Sequence, residues 1–218
     1  MDSRILVVAQ RDRLPHIESC GGLVGRRTGA HTVHLVSSAA TPLGGDRITV
    51  RVVVEPGALL RLRSVAAAIA LPGPATPVSH AEMVLEAGGD LDVDLEPTVV
   101  AGSAEHHATL AACVGDTGCL RVRERVQIGR SAERHGLWSS TVRADAAGRP
   151  LLRHRVELGA GTVGDDVLAA PRAAISELSY PVGPRHLIDG GTVLELAGGG
   201  ALTTWQGDVL PAPPPKSG

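Results

Sequence analysis

Alternation of apolar and polar residues dominates the chain and predicts β-strands. From Ile48 to Val54 every second residue is apolar, with Thr49, Arg51 and Val53 between. Pro56–Gly57 follows, and a fixed φ before a residue free to take positive φ favours a type II turn. The alternation resumes at Leu60 and Leu62. This arrangement predicts a β-hairpin.

The same scheme recurs along the chain. The segment "MVLEAGGDLDVDLEP" repeats it, and "HRVELGAGTVGDDVL" repeats it more faintly. The irregular spacing favours stacked hairpins over a true solenoid repeat. One short helix is predicted at "PRAAISELS", with Pro171 in its first turn. We expect one mainly β domain over residues 1–210 and a disordered proline-rich tail over 211–218.

Two of the predicted strands carry opposite charges on their polar faces. In "DLDVDLEP" the polar positions are acidic, and in "LRVRERVQI" they are mostly arginine. The simplest interpretation is a pair of solvated faces, with the two strands as neighbours that form cross-strand ion pairs. A polar surface offered to a protein partner is the alternative.

Glu124 breaks the alternation of the arginine-rich strand. It lies in phase with Val122 and Val126, on the face that should be buried. An isolated buried carboxylate is costly, so Glu124 must be paired, hydrated or exposed to a channel. A structural ion pair and a functional role both remain open.

Composition excludes some classes of protein. The net charge of −2 and an aromatic content of 1% argue against a nucleic-acid binder, which needs basic charge and stacking surfaces. Three cysteines do not form a disulfide framework, so reduced thiols are expected. No signal peptide is recognised and no apolar run approaches the ~20 residues that span a bilayer. We therefore expect a cytoplasmic protein without membrane contact.

Catalytic and metal-binding motifs are not recognisable. The chain has no phosphate-binding loop, no G-x-S-x-G and no H-E-x-x-H. Cys113 and Cys119 are spaced more widely than the close pairs of structural zinc sites. His106 and His107 point to opposite faces of an extended strand and are not expected to chelate one metal together. Motifs alone leave the function open.

Two blocks of sequence, in the same order, carry a resemblance to a known family. The first is "HLVSSAATPLGGDRITVRVVVEPGALLRLRSVAAA", and the second contains "LRVRERVQIGRSAERHG". Together they resemble the urease accessory proteins of the UreD (UreH) family over roughly residues 26–158. The family's Glu, Gly-Arg and following Glu fall on Glu124, Gly129–Arg130 and Glu133 of this chain.

The resemblance implies an all-β fold wound like a helix from stacked strands, with one or two short helices. It also implies a non-catalytic scaffold that supports nickel incorporation into apo-urease together with UreF and the GTPase UreG. The resemblance implies no tightly bound cofactor. It does imply that Ni²⁺ passes through an internal channel of the protein. Asp46, Glu124, Arg130 and Glu133 are the candidates for lining that polar path.

The segment Gly44–Gly45–Asp46 has two interpretations. The glycines, like Gly57, allow tight turns, and an aspartate at such a place commonly binds turn amides. Under the resemblance, Asp46 could instead face the channel, where carboxylates hold Ni²⁺ more weakly than imidazole or thiolate does. Two other functions also remain open: a hydrolase using Glu124 and Glu133 as an acid–base pair, and a metal-binding protein using its histidines.

Overall fold

The computed structural model describes residues 1–131, 133, 135–162, 165, 170–184 and 188–212. These residues form strands and no helix. The strands are β1 (Asp2–Ala9), β2 (His16–Cys20), β3 (Leu23–Gly29), β4 (Thr32–Ser37), β5 (Arg47–Val54), β6 (Leu59–Ser64), β7 (Ala68–Ala70), β8 (Val78–Ala87), β9 (Asp90–Asp94), β10 (Thr98–Val100), β11 (Glu105–Val114), β12 (Cys119–Ile128), β13 (Leu137–Ala146), β14 (Arg149–Gly159), β15 (Ala173–Tyr180), β16 (Thr192–Glu195) and β17 (Ala201–Gly207).

Two sheets face each other across the core. The first sheet has the strand order β14-β13-β11-β8-β5-β1-β2, and the second has the order β16-β17-β15-β12-β9-β6-β4-β3. The short strands β7 and β10 pair with each other, and β10 also pairs with β12. The chain runs from the first sheet to the second and back, so the middle strands of each sheet are parallel.

This winding confirms the helix-like stacking of strands. Leu59 stands opposite Asp90, and Asp90 opposite Cys119, so one coil takes roughly 30 residues, a length typical of solenoid repeats. The expectation of stacked hairpins is wrong for these coils. Alternation of apolar and polar residues shows which side chains are buried. The same pattern arises when two strands pair edge to edge and when they face each other across a core, so it cannot distinguish the two arrangements.

The Pro56–Gly57 turn shows this difference directly. Ala58 N donates a hydrogen bond to Glu55 O at 3.0 Å, and Gly57 has a φ of 76°, as expected for the turn. However, the turn leads from β5 in the first sheet to β6 in the second, not back along β5. The predicted hairpin is therefore wrong, although its turn is present.

The predicted helix near Pro171 is also wrong. Residues 173–180 form β15, which pairs with β12 on one side and β17 on the other. Side chains on both of its faces are buried, including Ala174, Ile175 and Leu178. A strand buried on both faces lacks the clean alternation that distinguishes it from a helix. Of the predicted tail, residues 213–218 lie outside the described residues, and the single domain over 1–210 stays a prediction.

The oppositely charged strands are neighbours, as expected. Asp92 of β9 stands opposite Arg121 of β12, and their Oδ1 and Nη1 atoms are 2.9 Å apart. Glu177 of β15 accepts hydrogen bonds from Arg121 Nη2 at 2.9 Å and Arg123 Nε at 2.6 Å. These pairs form a network on the outer face of the second sheet. Glu124 alternates with the arginines along β12 and therefore lies on the inner face.

Candidate functional site in the cavity between the sheets

A cavity of about 290 Å³ lies between the inner faces of the two sheets. Small and aliphatic side chains provide most of its wall, including Ala81 and Met83 of β8 and Val93 of β9. Glu124 and His106 bring ionisable groups to the wall from β12 and β11. A core built from Ala and Val fills less volume than one built from aromatic residues, which explains the room left between the sheets.

Glu124 reaches this cavity because it lies in phase with the inward-facing residues of β12. It is half-buried between Val122 and Val126, which are both buried. Burial raises the pKa of Glu124 to about 7, and the hydroxyl of Ser140 on β13 opposes that rise. Ser140 Oγ is itself buried and has no hydrogen-bond partner of good geometry among the described residues. Glu124 is therefore poised to exchange its proton near neutral pH.

His106 faces the cavity from the first sheet. Its Nδ1 lies 2.9 Å from the Oγ of Ser79, and the residue is only 4% exposed. Burial, followed by the nearby charges of His107 and His80, lowers the pKa of His106 to about 4. The imidazole is therefore neutral at physiological pH. It contributes a hydrogen-bonding group to the cavity without a positive charge.

Asp46 is held in the turn that precedes β5. Its carboxylate accepts hydrogen bonds from Thr41 Oγ1 at 2.8 Å, from Leu43 N at 2.9 Å and from the α-amino group of Met1 at 2.7 Å. Burial alone would raise the pKa of Asp46, but these hydrogen bonds lower it below its ordinary value. The residue is 5% exposed and is not part of the cavity lining.

The glycines before Asp46 let two chain segments touch. A Cβ on Gly44 would lie 1.9 Å from Thr76 O and 2.3 Å from Gly73 N, so a side chain has no room there. Gly45 has a φ of 93°, in the left-handed region that favours glycine. The segment therefore anchors the 71–78 loop against the start of β5.

Glu133 and Arg130 form a corner between β12 and β13. Glu133 Oε2 accepts hydrogen bonds from Gly102 N at 2.8 Å and Arg130 N at 3.1 Å, and the carboxylate also binds the Arg130 guanidinium. Arg130 and these amides lower the pKa of Glu133 to about 2. Neither side chain lines the cavity. The structure thus places Glu124 on the cavity and Asp46, Arg130 and Glu133 in turns.

Sequence reasoning did not single out His106 with its partner Ser79, or Ser140 beside Glu124. His106 was separated correctly from His107, since the two lie on opposite faces of β11. The sequence does not reveal how β11 is aligned with its neighbouring strands. In the structure, His106 stands opposite Ser79 on β8 and Trp138 on β13. Within the described part of the chain, no three His, Cys, Asp or Glu side chains converge on one point that could hold a metal ion.

Comparison with known proteins places the chain in a family. The model of the UreD urease accessory protein family matches residues 14–190. The chain belongs to the UreD family of urease accessory proteins. Urease accessory protein UreD 1 of Saccharopolyspora erythraea is 38% identical over 194 residues, which cover 84% of this chain and 74% of the relative.

Two other UreD proteins show how far the similarity extends. The Frankia alni protein is 44% identical over 119 residues, covering 54% of this chain and 40% of the relative. The Streptomyces avermitilis protein is 33% identical over 209 residues, covering 88% of this chain and 82% of the relative. The UreD match includes Asp46, Glu124, Arg130 and Glu133. No helix able to cross a membrane occurs in the described part of this UreD family member.

Proposed function

We propose that this UreD family member is a non-catalytic scaffold for urease maturation, and that Ni²⁺ passes through its inter-sheet cavity on the way to apo-urease. A UreF-like protein and a UreG-like GTPase are the proposed partners. The observation that carries the proposal is Glu124, a carboxylate on the wall of a cavity in a family of urease accessory proteins. GTP hydrolysis is assigned to the partner, because this sequence has no phosphate-binding loop.

The chemistry of the cavity suits a cation that passes rather than stays. A carboxylate holds Ni²⁺ less tightly than imidazole or thiolate ligands do. Because the pKa of Glu124 is near 7, a divalent cation competes with a single proton for this carboxylate at neutral pH. His106 offers one further donor, and Glu82 and Glu96 also border the cavity, but among the described residues no three such groups converge on one point. Donors that do not converge release an ion readily.

Urease activation in cells tests this role. The chain, its UreF-like and UreG-like partners and the urease subunits are co-expressed with nickel, and the nickel content of purified urease is measured. We expect Glu124→Gln to lower nickel loading while the complex with the partners still assembles. Glu133→Gln is the matched control, because it removes a carboxylate outside the cavity lining. Normal nickel loading with Glu124→Gln would rule out the proposed route.

The hydrolase alternative receives no support from these positions. Glu124 lies on the cavity wall, whereas Glu133 is bound by Arg130 and Gly102 in a corner outside the cavity lining. An acid–base pair must reach one substrate from both sides. We therefore propose no catalytic residues in this chain.

A further inference from the structure

Two histidines lie side by side on the outer face of the first sheet. His80 of β8 and His107 of β11 are directly opposite in the parallel register, and their rings are stacked with centroids 5.5 Å apart and an interplanar angle of 27°. His107 follows His106 in the chain, so strand β11 separates this pair from the cavity. Neither His80 nor His107 lines the cavity.

A hydrogen bond orients one of the two rings. His107 Nδ1 lies 2.7 Å from the Oγ of Ser139, which stands opposite His107 on the neighbouring strand β13 and is only 4% exposed. With Nδ1 engaged, Nε2 is the nitrogen left to bind a ligand. A hydrogen bond to the second ring nitrogen is the usual way in which proteins orient a metal-binding histidine.

A carboxylate completes the set of donors. Glu105 Oε2 lies 3.9 Å from His107 Nε2. Tetrahedral zinc with ligand bonds of about 2.0–2.2 Å places two donors about 3.3–3.6 Å apart, so a small rotation of either side chain lets one ion bridge these atoms. His80 is exposed and can swing its ring toward the same ion. Arg47 stands opposite His80 on β5, which favours a position for the ion on the His107 side.

We propose that His80, His107 and Glu105 bind one divalent transition-metal ion on the outer face of the first sheet. Two imidazoles and a carboxylate suit ions such as Ni²⁺, Zn²⁺ or Cu²⁺ and discriminate against Mg²⁺, which prefers oxygen ligands. The three donors do not converge in the structure, so binding requires the exposed His80 ring to rotate toward the ion. The site is separate from the cavity route and requires no partner or urease.

Metal titration of the full chain without a histidine tag tests the site. The chain is purified alone or with its UreF-like partner, which is also titrated by itself as a blank. Isothermal titration with Ni²⁺ and Zn²⁺ should show one ion that His80→Gln and His107→Gln each bind more than tenfold more weakly than the wild type, and Mg²⁺ should not compete. His16→Gln is the matched control, because His16 has a carboxylate partner, Glu18 at 3.0 Å, but no second imidazole among its described contacts. Equal binding by His16→Gln and His80→Gln would overturn the proposal, as would no binding by the wild type.

Spectroscopy separates direct ligation from a structural effect. Cu²⁺ bound to the wild type should give the electron paramagnetic resonance pattern of two nitrogen ligands, and His80→Gln should reduce it to one. Ser139→Ala should weaken binding about tenfold, because it frees the His107 ring without removing a ligand. An unchanged nitrogen pattern in His80→Gln would show that the ion binds elsewhere and would overturn the assignment.

Discussion

Glu124 and His106 face one cavity from opposite sheets, and burial shifts their pKa values in opposite directions. The pKa of Glu124 rises to about 7 and that of His106 falls to about 4. Both shifts have the same cause, since removal from water disfavours the charged form of an acid and of a base alike. The charges of the neighbouring Arg123 and Arg125 are turned away and bind Glu177 and Asp94 on the outer face.

This arrangement predicts a pH-dependent stability that depends on Glu124. A carboxyl group whose pKa is raised by folding stabilises the native state below its ordinary pKa of 4.5, and that contribution is lost as the pH rises to about 7. We expect the free energy of unfolding of the wild type, relative to Glu124→Gln, to fall by up to about 3 kcal/mol across this range. Urea unfolding at several pH values between 4 and 8 measures the difference.

The comparison with Glu124→Gln removes the contribution of His106. A lowered histidine pKa gives stability that is present above pH 6.5 and is lost as the pH falls to about 4, but it does so in both proteins. Parallel stability curves for the wild type and the variant would show that Glu124 ionises as it would in water. The cavity would then not shield the Glu124 carboxylate from water.

Strand alternation was enough to find Glu124 but not its surroundings. A charged residue in phase with Val122 and Val126 is visible in one strand, and so is the opposite charge of β9 and β12. The facing residues His106 and Ser140 depend on parallel register between strands roughly 30 residues apart, which a period of two does not encode. The same limit explains why β5 and β6 were expected to pair.

Local chemistry explains the other differences between expectation and structure. Glu133, and Asp46 under one of its two interpretations, are grouped with Glu124 because they are acidic and belong to the same family motifs. Each is instead surrounded by donors from its own turn, such as Leu43 N and Gly102 N. Turn geometry of this kind is specified by a few backbone amides, whose positions are set only when the coils stack.

The buried ion-pair network on the second sheet predicts a large cost for removing Glu177. Its side chain is 1% exposed and binds both Arg121 and Arg123. Glu177→Gln leaves part of that positive charge uncompensated, and we expect a loss of about 3 kcal/mol, the lower end for a broken buried pair, because Arg121 keeps Asp92. Thermal and urea unfolding measure this loss.

Glu157→Gln is the matched control for Glu177→Gln. Glu157 pairs with Arg155, but the two side chains are 37% and 59% exposed. An exposed pair of this kind contributes at most about 1 kcal/mol. Similar losses for the two variants would mean that the network on the second sheet is screened as effectively as a surface pair.

The last prediction concerns Asp46, whose two oxygens are used differently. Oδ2 accepts from Thr41 and Leu43, and Oδ1 accepts from the α-amino group of Met1. In Asp46→Asn, one oxygen remains and an NH₂ group must face a donor. We expect a loss of about 1.5–3 kcal/mol at pH 7, the value of a hydrogen bond to a charged group. The loss should shrink as the pH falls below 3.8, the ordinary pKa at which the unfolded carboxyl gains its proton, and it should disappear once the pH falls through the lowered pKa of the native carboxyl. Asp12→Asn is the control, since that side chain is 90% exposed, and it should leave stability unchanged. A nickel-loading defect in Asp46→Asn without any loss of stability would contradict this structural role and return Asp46 to the cation path.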